Sequence, residues 1–510
     1  MDKTIAQTIA SLHKEQLGKV RTKIVATVGP ASSEPSTLNA MVEAGVDVFR
    51  LNFSHGVHSE HSAALETIRR IGLESGRQIA VLQDLCGPKI RLGTIPDDVV
   101  ACDHDSEFVL AREAGVVNDP HQLSSSYPAL ADDLEVGQTV LFADGTVAME
   151  VIERGPGWAR LKVVLPGLIR SHQGINVPSA GLSVAALTDK DLADLDWTAT
   201  HPVDYVGLSF ARKAADIVCL RRELDRRGIR ARIIAKIEKP QALENLDSII
   251  AEADAVMVAR GDLGVELDVT RVPAIQKQII SACHYARVPV ITATQMLNSM
   301  ETTSRPTRAE ANDVFNAVLD GTDAVMLSGE TAIGQYPVES VSMMSRIVGE
   351  GESLLFSRLK NAAPWTCPIP SWPAAGVPGT NHAIARAGLV KPITESVVEA
   401  ASQISRRLNA ALLIVATYSG RTALVLSKQR NPAPTLALAH DAETARAMSL
   451  FWGVTPLPIP QLAVEDQLRT FVLEWCKARG LIGPGDCIVG IRGAMPSNPA
   501  HNEIVVHEVL

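Results

Sequence analysis

Eight short apolar, β-branched runs, each followed by a stretch of helical periodicity, predict an α/β fold built on a (β/α)8 TIM barrel. Two further observations refine that reading. After the third run the alternation is interrupted by about ninety residues rich in turns and β-branched side chains. After a Pro-rich stretch it resumes in a separate C-terminal α/β segment. A chain of 510 residues is too long for one core, so division into domains is expected.

The runs, in order, are Lys23–Val28, Val46–Asn52, Ile79–Asp84, Tyr205–Phe210, Arg232–Glu238, Ala255–Arg260, Val288–Thr294 and Asp323–Ser328. Helical patterns lie between them at Ser36–Glu43, Ser59–Glu74, Lys213–Arg227, Pro240–Ile250, Val272–Arg287 and Ala309–Leu319. The interruption contains Val136-Gly137-Gln138, Ala143-Asp144-Gly145-Thr146 and Arg154-Gly155-Pro156-Gly157, each a turn between strand-like runs. It reads as a small all-β domain, a β-barrel over 94–181, inserted in a loop of a barrel formed by 1–93 and 182–352. Pro364, Pro368, Pro370, Pro373 and Pro378 mark 353–392 as a linker or loop. From 393 to 510 the segments Ser396–Leu408, Ala411–Ala416, Thr422–Gln429, Thr435–Ala439, Ala442–Phe451, Ile488–Ile491 and Glu503–Val509 alternate as a third, α/β domain.

Composition narrows the function classes. Hydrophobic residues at 46% and charged residues at 21% describe a globular protein with an aliphatic core, since aromatics are only 4%. A net charge of −9 argues against broad binding to nucleic acid or anionic membranes. No apolar run approaches the roughly 18 residues of a membrane span. Residues 1–20 carry Asp2, Lys3, His13, Lys14, Glu15 and Lys19 and do not read as a secretory signal. The seven scattered cysteines form no C-x-x-C pair, which suggests reduced thiols and a cytoplasmic location.

In a barrel of this kind the site lies at the C-terminal ends of the strands. Those ends carry Arg50 and Asn52, Asp84, Lys236 and Glu238, Arg260 and Asp262, Thr294, and Ser328. Lys236 and Glu238 are two residues apart in a strand and therefore share a face. Charges at the end of a buried strand are costly unless something uses them. Two carboxylates at the ends of successive strands, with a lysine beside one, suit a divalent metal holding a phosphorylated acid. His55, His58 and His61 fall at helical spacing and read as the polar start of a helix near Ser59 rather than as metal ligands.

Longer strings carry a resemblance. Lys23–Gly29 (KIVATVG), Phe49–Gly56 (FRLNFSHG), Asp84–Arg91 (DLCGPKIR), Ala235–Glu238 (AKIE), Met257–Glu266 (MVARGDLGVE), Ala293–Met300 (ATQMLNSM), Arg305–Glu310 (RPTRAE) and Asp320–Thr331 (DGTDAVMLSGET) resemble the pyruvate kinase family in order and spacing over nearly the whole chain. The resemblance implies phosphoryl transfer from phosphoenolpyruvate to ADP, giving pyruvate and ATP, with Mg2+ or Mn2+. Glu238 and Asp262 match the family's metal ligands, and carboxylate oxygens are the hard ligands Mg2+ prefers. Lys236 matches the lysine between the transferring phosphoryl group and the enolate oxygen. Arg50 and Arg91 match phosphate contacts, suited by the guanidinium fork. Backbone N–H groups near Gly261 and Asp262 are expected at the substrate carboxylate, and Thr294 and Ser328 on the path of the proton that reaches the enolate carbon. A homotetramer, an inserted domain closing over the nucleotide, and no nucleic-acid or membrane partner are implied as well.

Two regions qualify the resemblance. Family members that need K+ hold it with residues matching Asn52, Ser54 and Asp84, and have Thr and Glu where this chain has Leu85 and Lys89. The Lys89 ammonium can replace the cation, so K+ is expected to be dispensable. In the third domain, Thr417, Ser419, Gly420, Arg421 and Thr422 form a hydroxyl-Gly-Arg turn at a helix start, the family's site for the phosphate of an activator. The competing reading is an ordinary helix cap at Ser419 or Thr422. The loop Gly490–Ala500 departs from the pattern associated with fructose 1,6-bisphosphate, which leaves a mono-phosphorylated sugar, AMP or no effector. Two readings from other classes are a catalytically silent phospho-metabolite sensor and a phosphoenolpyruvate-handling barrel lyase.

Overall fold

The computed structural model describes residues 20–112, 119–178, 184–360, 389–459, 465–478, 480–492 and 502–509. The Pro-rich segment at 361–388, and 493–501 with most of the Gly490–Ala500 loop, lie outside the described residues.

Eight parallel strands close a barrel: β1 (Lys23–Val28), β2 (Val48–Asn52), β3 (Ala80–Asp84), β4 (Tyr205–Leu208), β5 (Arg232–Ile237), β6 (Ala255–Ala259), β7 (Val290–Ala293) and β8 (Ala324–Leu327). Each pairs with its sequence neighbours and β8 returns to β1, with Lys23 opposite Ala324. Strands β3, β4, β6, β7 and β8 are buried along their whole length, which is why they read as continuous apolar runs rather than alternating ones. The helices between them are stopped by local chemistry. Thr307 and Glu310 form a reciprocal capping box at the start of Arg308–Asp320, and Gly321 ends that helix in the left-handed region at φ +95°. The single helix expected over Pro240–Ile250 is two, Pro240–Glu244 and Leu246–Glu252. The Asn245 side chain, donating to Gln241 O at 2.9 Å and Arg212 O at 3.1 Å, competes with the helical ladder there.

The residues between β3 and β4 form a curled six-stranded sheet and a two-stranded one. A core of its own, including Phe108, Phe142, Met149, Leu161 and Ile169, fills that sheet. The C-terminal domain is a five-stranded sheet in the order Val454–Pro458, Thr435–Ala439, Leu412–Thr417, Cys487–Arg492, Glu503–Glu508, parallel except for the last pair. The strand Val454–Pro458 was not expected from sequence. It carries Pro456 and Pro458 and lies at the sheet edge, where a missing N–H is tolerated.

This domain closes one end of the barrel. Interior residues Val25, Leu82, Tyr205, Ile234, Met257 and Ile291 belong to one apolar cluster with Val415, Leu424, Met448 and Phe451 of the C-terminal domain. Buried polar contacts reinforce the junction: Asp323 pairs with Lys428 at 2.6 Å and with Arg430 at 3.0 Å, and Asp204 with Arg446 at 2.8 Å. These residues lie at the N-terminal ends of the strands, so the opposite, C-terminal end is left for chemistry. Among the described residues no helix is long and apolar enough to cross a membrane.

Candidate active site

Lys236 is the fifth of the six residues of β5, and its ammonium is 9% exposed at residue level. The two-residue repeat of the strand brings Glu238 to the same side, Nζ to Oε1 being 3.0 Å. Asp84, the last residue of β3, approaches from two strands away with Oδ1 at 3.2 Å, and Ser209 Oγ accepts from Nζ at 2.7 Å. Burial disfavours the ammonium, but Asp84 and Glu238 outweigh it, and Lys236 holds its proton more tightly than an ordinary lysine.

The Asp84 carboxylate is shared. Arg50 Nε donates to its Oδ2 at 2.7 Å, and Arg50 Nη1 donates to Thr27 Oγ1 at 3.1 Å. A chain of contacts thus runs from β1 through β2 and β3 to β5, and each member's second partner restricts its rotamer. Burial raises the Asp84 carboxyl, yet Lys236 and Arg50 bring it below its usual value. Glu238 differs. Burial pushes it up, Lys236 pulls it down, and the charge of Asp262 pushes it up again, leaving it above the ordinary range. Its Oε2 accepts the Phe210 N–H at 2.7 Å, a bond that requires Phe210 at φ +55°.

Asp262 lies in the first turn of the helix Arg260–Glu266, which directly follows β6, where the helix dipole favours an anion. Arg260, read from sequence as part of the polar strand ends, turns inward. It donates to Ala293 O at 3.2 Å and Thr294 O at 2.7 Å and pairs with Asp313 at 2.6 Å, anchoring the end of β7. Thr294 and Gln295 then take the left-handed region at φ +66° and +55°. Thr294 Oγ1 accepts the Gly261 N–H at 2.7 Å, so the donor expected to meet substrate is engaged within the protein. Ser328, just after β8, donates its N–H to Glu330 at 2.7 Å, while its buried hydroxyl has no hydrogen-bond partner among the described residues.

Arg91 and Lys89 stand further out, where the inserted domain begins. With Asp144, His172 and Gly174 they line a cavity of about 300 Å³, and Arg91 Nη1 donates to His172 O at 3.2 Å. Burial, then the charges of Arg91, Arg50 and Lys89, hold His55 below its usual range. Asn52 Oδ1 accepts the Ser54 N–H at 3.2 Å, Asn52 is opposite Asp84 in the β2–β3 register, and Leu85 is buried. His58 begins the helix His58–Ser75 and pairs with Asp194 at 2.7 Å, and His61 stacks on Phe53 at 4.1 Å.

Several participants were not singled out from sequence. Ser209, Phe210, Thr27, Asp144 and His172 reach the site through partners distant in the chain, and Ser209 and Phe210 lay at the end of the fourth run without being read as site residues. The residues Thr417–Thr422 lie at the far side of the barrel. Thr417 Oγ1 accepts the Gly420 N–H at 3.0 Å, Gly420 has φ +78°, Thr422 is buried and Arg421 is exposed. Ser419 O accepts from Arg232 Nη2 at 3.1 Å, and Arg232 is the first residue of β5, the strand that ends beside Glu238.

The residues fit a divalent cation. Two carboxylates whose charges oppose each other, one of them raised first by burial and further by that opposition, provide hard oxygen ligands. Among the described residues no group of three or more His, Cys, Asp or Glu is placed to hold a metal.

Comparisons with known proteins agree with this geometry. The family described as pyruvate kinase, barrel domain, matches residues 19–341, and pyruvate kinase, alpha/beta domain, matches 395–507. The chain is 40% identical to a pyruvate kinase of Agrobacterium vitis over 93% of its length and 95% of the relative's. It is 39% identical to one of Mycobacterium intracellulare over 96% of its length and 98% of the relative's. A crystal structure of a pyruvate kinase from Cryptosporidium parvum superposes with a TM-score of 0.86 at 30% identity, covering 98% of this chain and 99% of that one.

Proposed function

The chain belongs to the pyruvate kinase family, and on that premise we propose that it transfers the phosphoryl group of phosphoenolpyruvate to ADP, giving pyruvate and ATP. The observation that carries this reading is Lys236, a buried cation fixed between Asp84 and Glu238 by contacts of 3.2 and 3.0 Å. An oxygen of the ADP β-phosphate attacks phosphorus, the bond to the enol oxygen breaks, and that oxygen keeps the electron pair. Lys236 is placed to neutralise the enolate as it forms, and its fixed position costs no reorganisation at that moment.

Glu238 and Asp262 would hold Mg2+ or Mn2+, which would supply fixed positive charge to the anionic substrate. Arg50, oriented by Asp84 and Thr27, presents a guanidinium to the phosphoryl group. Arg91, beside the 300 Å³ cavity, is assigned to the nucleotide phosphates together with the inserted domain, which excludes water when closed. Thr294, with Gly261, shapes the substrate side. The buried Ser328 hydroxyl lies on the proton's route to the enolate carbon, which completes pyruvate.

The Lys89 ammonium takes the place of K+ near Asn52, Ser54, Asp84 and Leu85, which makes K+ dispensable. The turn Thr417–Thr422 receives the phosphate of a sugar-phosphate or nucleotide effector through Arg421 and the hydroxyls of Ser419 and Thr422. The enzyme acts as a homotetramer in the cytoplasm. One assay tests the central reading: pyruvate release measured with phosphoenolpyruvate, Mg2+ and increasing ADP. Absolute dependence on ADP with equimolar ATP supports it; pyruvate formed without ADP is hydrolysis of the phosphate ester, and that outcome or no turnover overturns it.

A further inference from the structure

Glu266 is buried, its side chain 0% exposed, and it closes the helix that begins at Arg260. A carboxylate at that end opposes the helix dipole. Its Oε2 is buried with no hydrogen-bond partner among the described residues. Both its donors converge on Oε1: Lys239 Nζ in a close ion pair, and Asn176 Nδ2 at 2.8 Å. A half-satisfied buried charge calls for an explanation.

The donors supply one. Asn176 belongs to the inserted domain, where it pairs with Leu141 in the strand Ile175–Asn176. Lys239 directly follows Glu238, and its ammonium lies 5.7 Å from the ring centre of Phe210, whose N–H holds Glu238. Glu266 itself is on the helix whose first turn carries Asp262. The inserted domain touches this helix a second time, since a Cβ at Gly145 would lie 3.6 Å from Val265 Cγ1. One carboxylate therefore joins the inserted domain to both segments that carry the proposed metal ligands.

We propose that Glu266 is a positioning residue that couples the seating of the inserted domain, through Asn176, to the spacing of Glu238 and Asp262. With Asn176 seated, Oε1 is held between two donors and Lys239 stays over Phe210. Without it the carboxylate recentres on Lys239, and the Phe210–Glu238 clamp shifts with it. Coupling of this kind is reciprocal, so metal affinity and domain position change together.

The inference rests on the reading that Glu238 and Asp262 hold the metal, and a control separates the two. Mn2+ binding to the substrate-free enzyme is titrated by the spin-resonance signal of free Mn2+, for wild type, Glu238→Gln, Asn176→Ala and Asn176→Ser, with Tm recorded without metal. Glu238→Gln binding Mn2+ like wild type overturns the metal reading and this inference with it. With that control met, Asn176→Ala and Asn176→Ser are expected to bind Mn2+ roughly tenfold more weakly, a change of about 1.4 kcal/mol, while remaining folded at the temperature of the titration. Affinity within a factor of two of wild type in either variant overturns the coupling and leaves Asn176 as a packing contact of the inserted domain.

Discussion

Replacing Lys236 with methionine tests both halves of the assignment, chemistry and structure. The side chain is nearly isosteric along its stem, so the perturbation removes a charge rather than volume. The ammonium is the close partner of Asp84 at 3.2 Å and Glu238 at 3.0 Å, all three buried. Removing one member of a buried ion pair typically costs about 3–5 kcal/mol. Asp84 keeps Arg50 at 2.6 Å, so the low end applies, about 3 kcal/mol. For domains of this size that lowers Tm by about 6–12 °C, with the fold retained. Catalysis should lose far more. A preorganised charge aimed at a transferring phosphoryl group is worth about 10³–10⁵ in rate, or about 4–7 kcal/mol in the barrier. The assay is kcat for pyruvate formation at saturating Mg2+, phosphoenolpyruvate and ADP, run well below the variant's Tm, with circular dichroism as the control for folding. Retention of more than about a tenth of wild-type kcat, a barrier change under ~1.4 kcal/mol, would remove Lys236 from the enolate.

Other perturbations probe more distant parts. With Mg2+ present and K+ replaced by tetramethylammonium, wild type should keep substantial activity, while Lys89→Glu should lose most of it and recover in part when K+ is added; near-inactivity of wild type before K+ refutes the substitution of charge. Arg421→Ala should raise the concentration of sugar-phosphate or nucleotide needed for half-activation without changing effector-free activity; if no such metabolite shifts the phosphoenolpyruvate dependence of wild type, the turn is only a helix cap. His284 is half-buried with its Nδ1 fully enclosed, and burial followed by the charges of Arg430, Lys428 and Arg287 lowers it well below its reference of 6.5. Its folded value is depressed, so its contribution is whole above about pH 6.5 and declines as pH falls below that, by up to ~1.4 kcal/mol per pH unit. Thermal unfolding from pH 7.5 to 5 should show a steeper acid-side fall in Tm for wild type than for His284→Gln, and equal slopes would refute it.

The barrel was legible because five of its strands are buried along their whole length and the other three over most of theirs, which keeps the runs largely apolar. All eight runs emerged within a residue or two of the observed strands, as at Lys23–Val28 and Ala255–Ala259. Val454–Pro458 was missed because its prolines argue against a strand anywhere but at an edge, and edge position is a property of the assembled sheet. The break at Asn245 was missed because it depends on Arg212 O, a carbonyl supplied by another helix connection.

The sequence by itself determined the pairing of Lys236 with Glu238, since a strand's two-residue repeat dictates a shared face, and it placed Asp262 at the end of the next apolar strand; that a helix begins there is a finding of the structure. What only the tertiary structure decided is every partner that arrives from another strand or domain. Asp84 and Ser209 meet Lys236 because β3, β4 and β5 are neighbours in a closed barrel. The Gly261 N–H is taken by Thr294 because Arg260 anchors the end of β7. Asn176 meets Glu266 across a sequence separation of 90 because the inserted domain folds back onto the barrel. Periodicity encodes which face a side chain takes. Which side chains share that face is settled by closure of the sheet and docking of domains, whose long-range contacts leave no local trace in the chain.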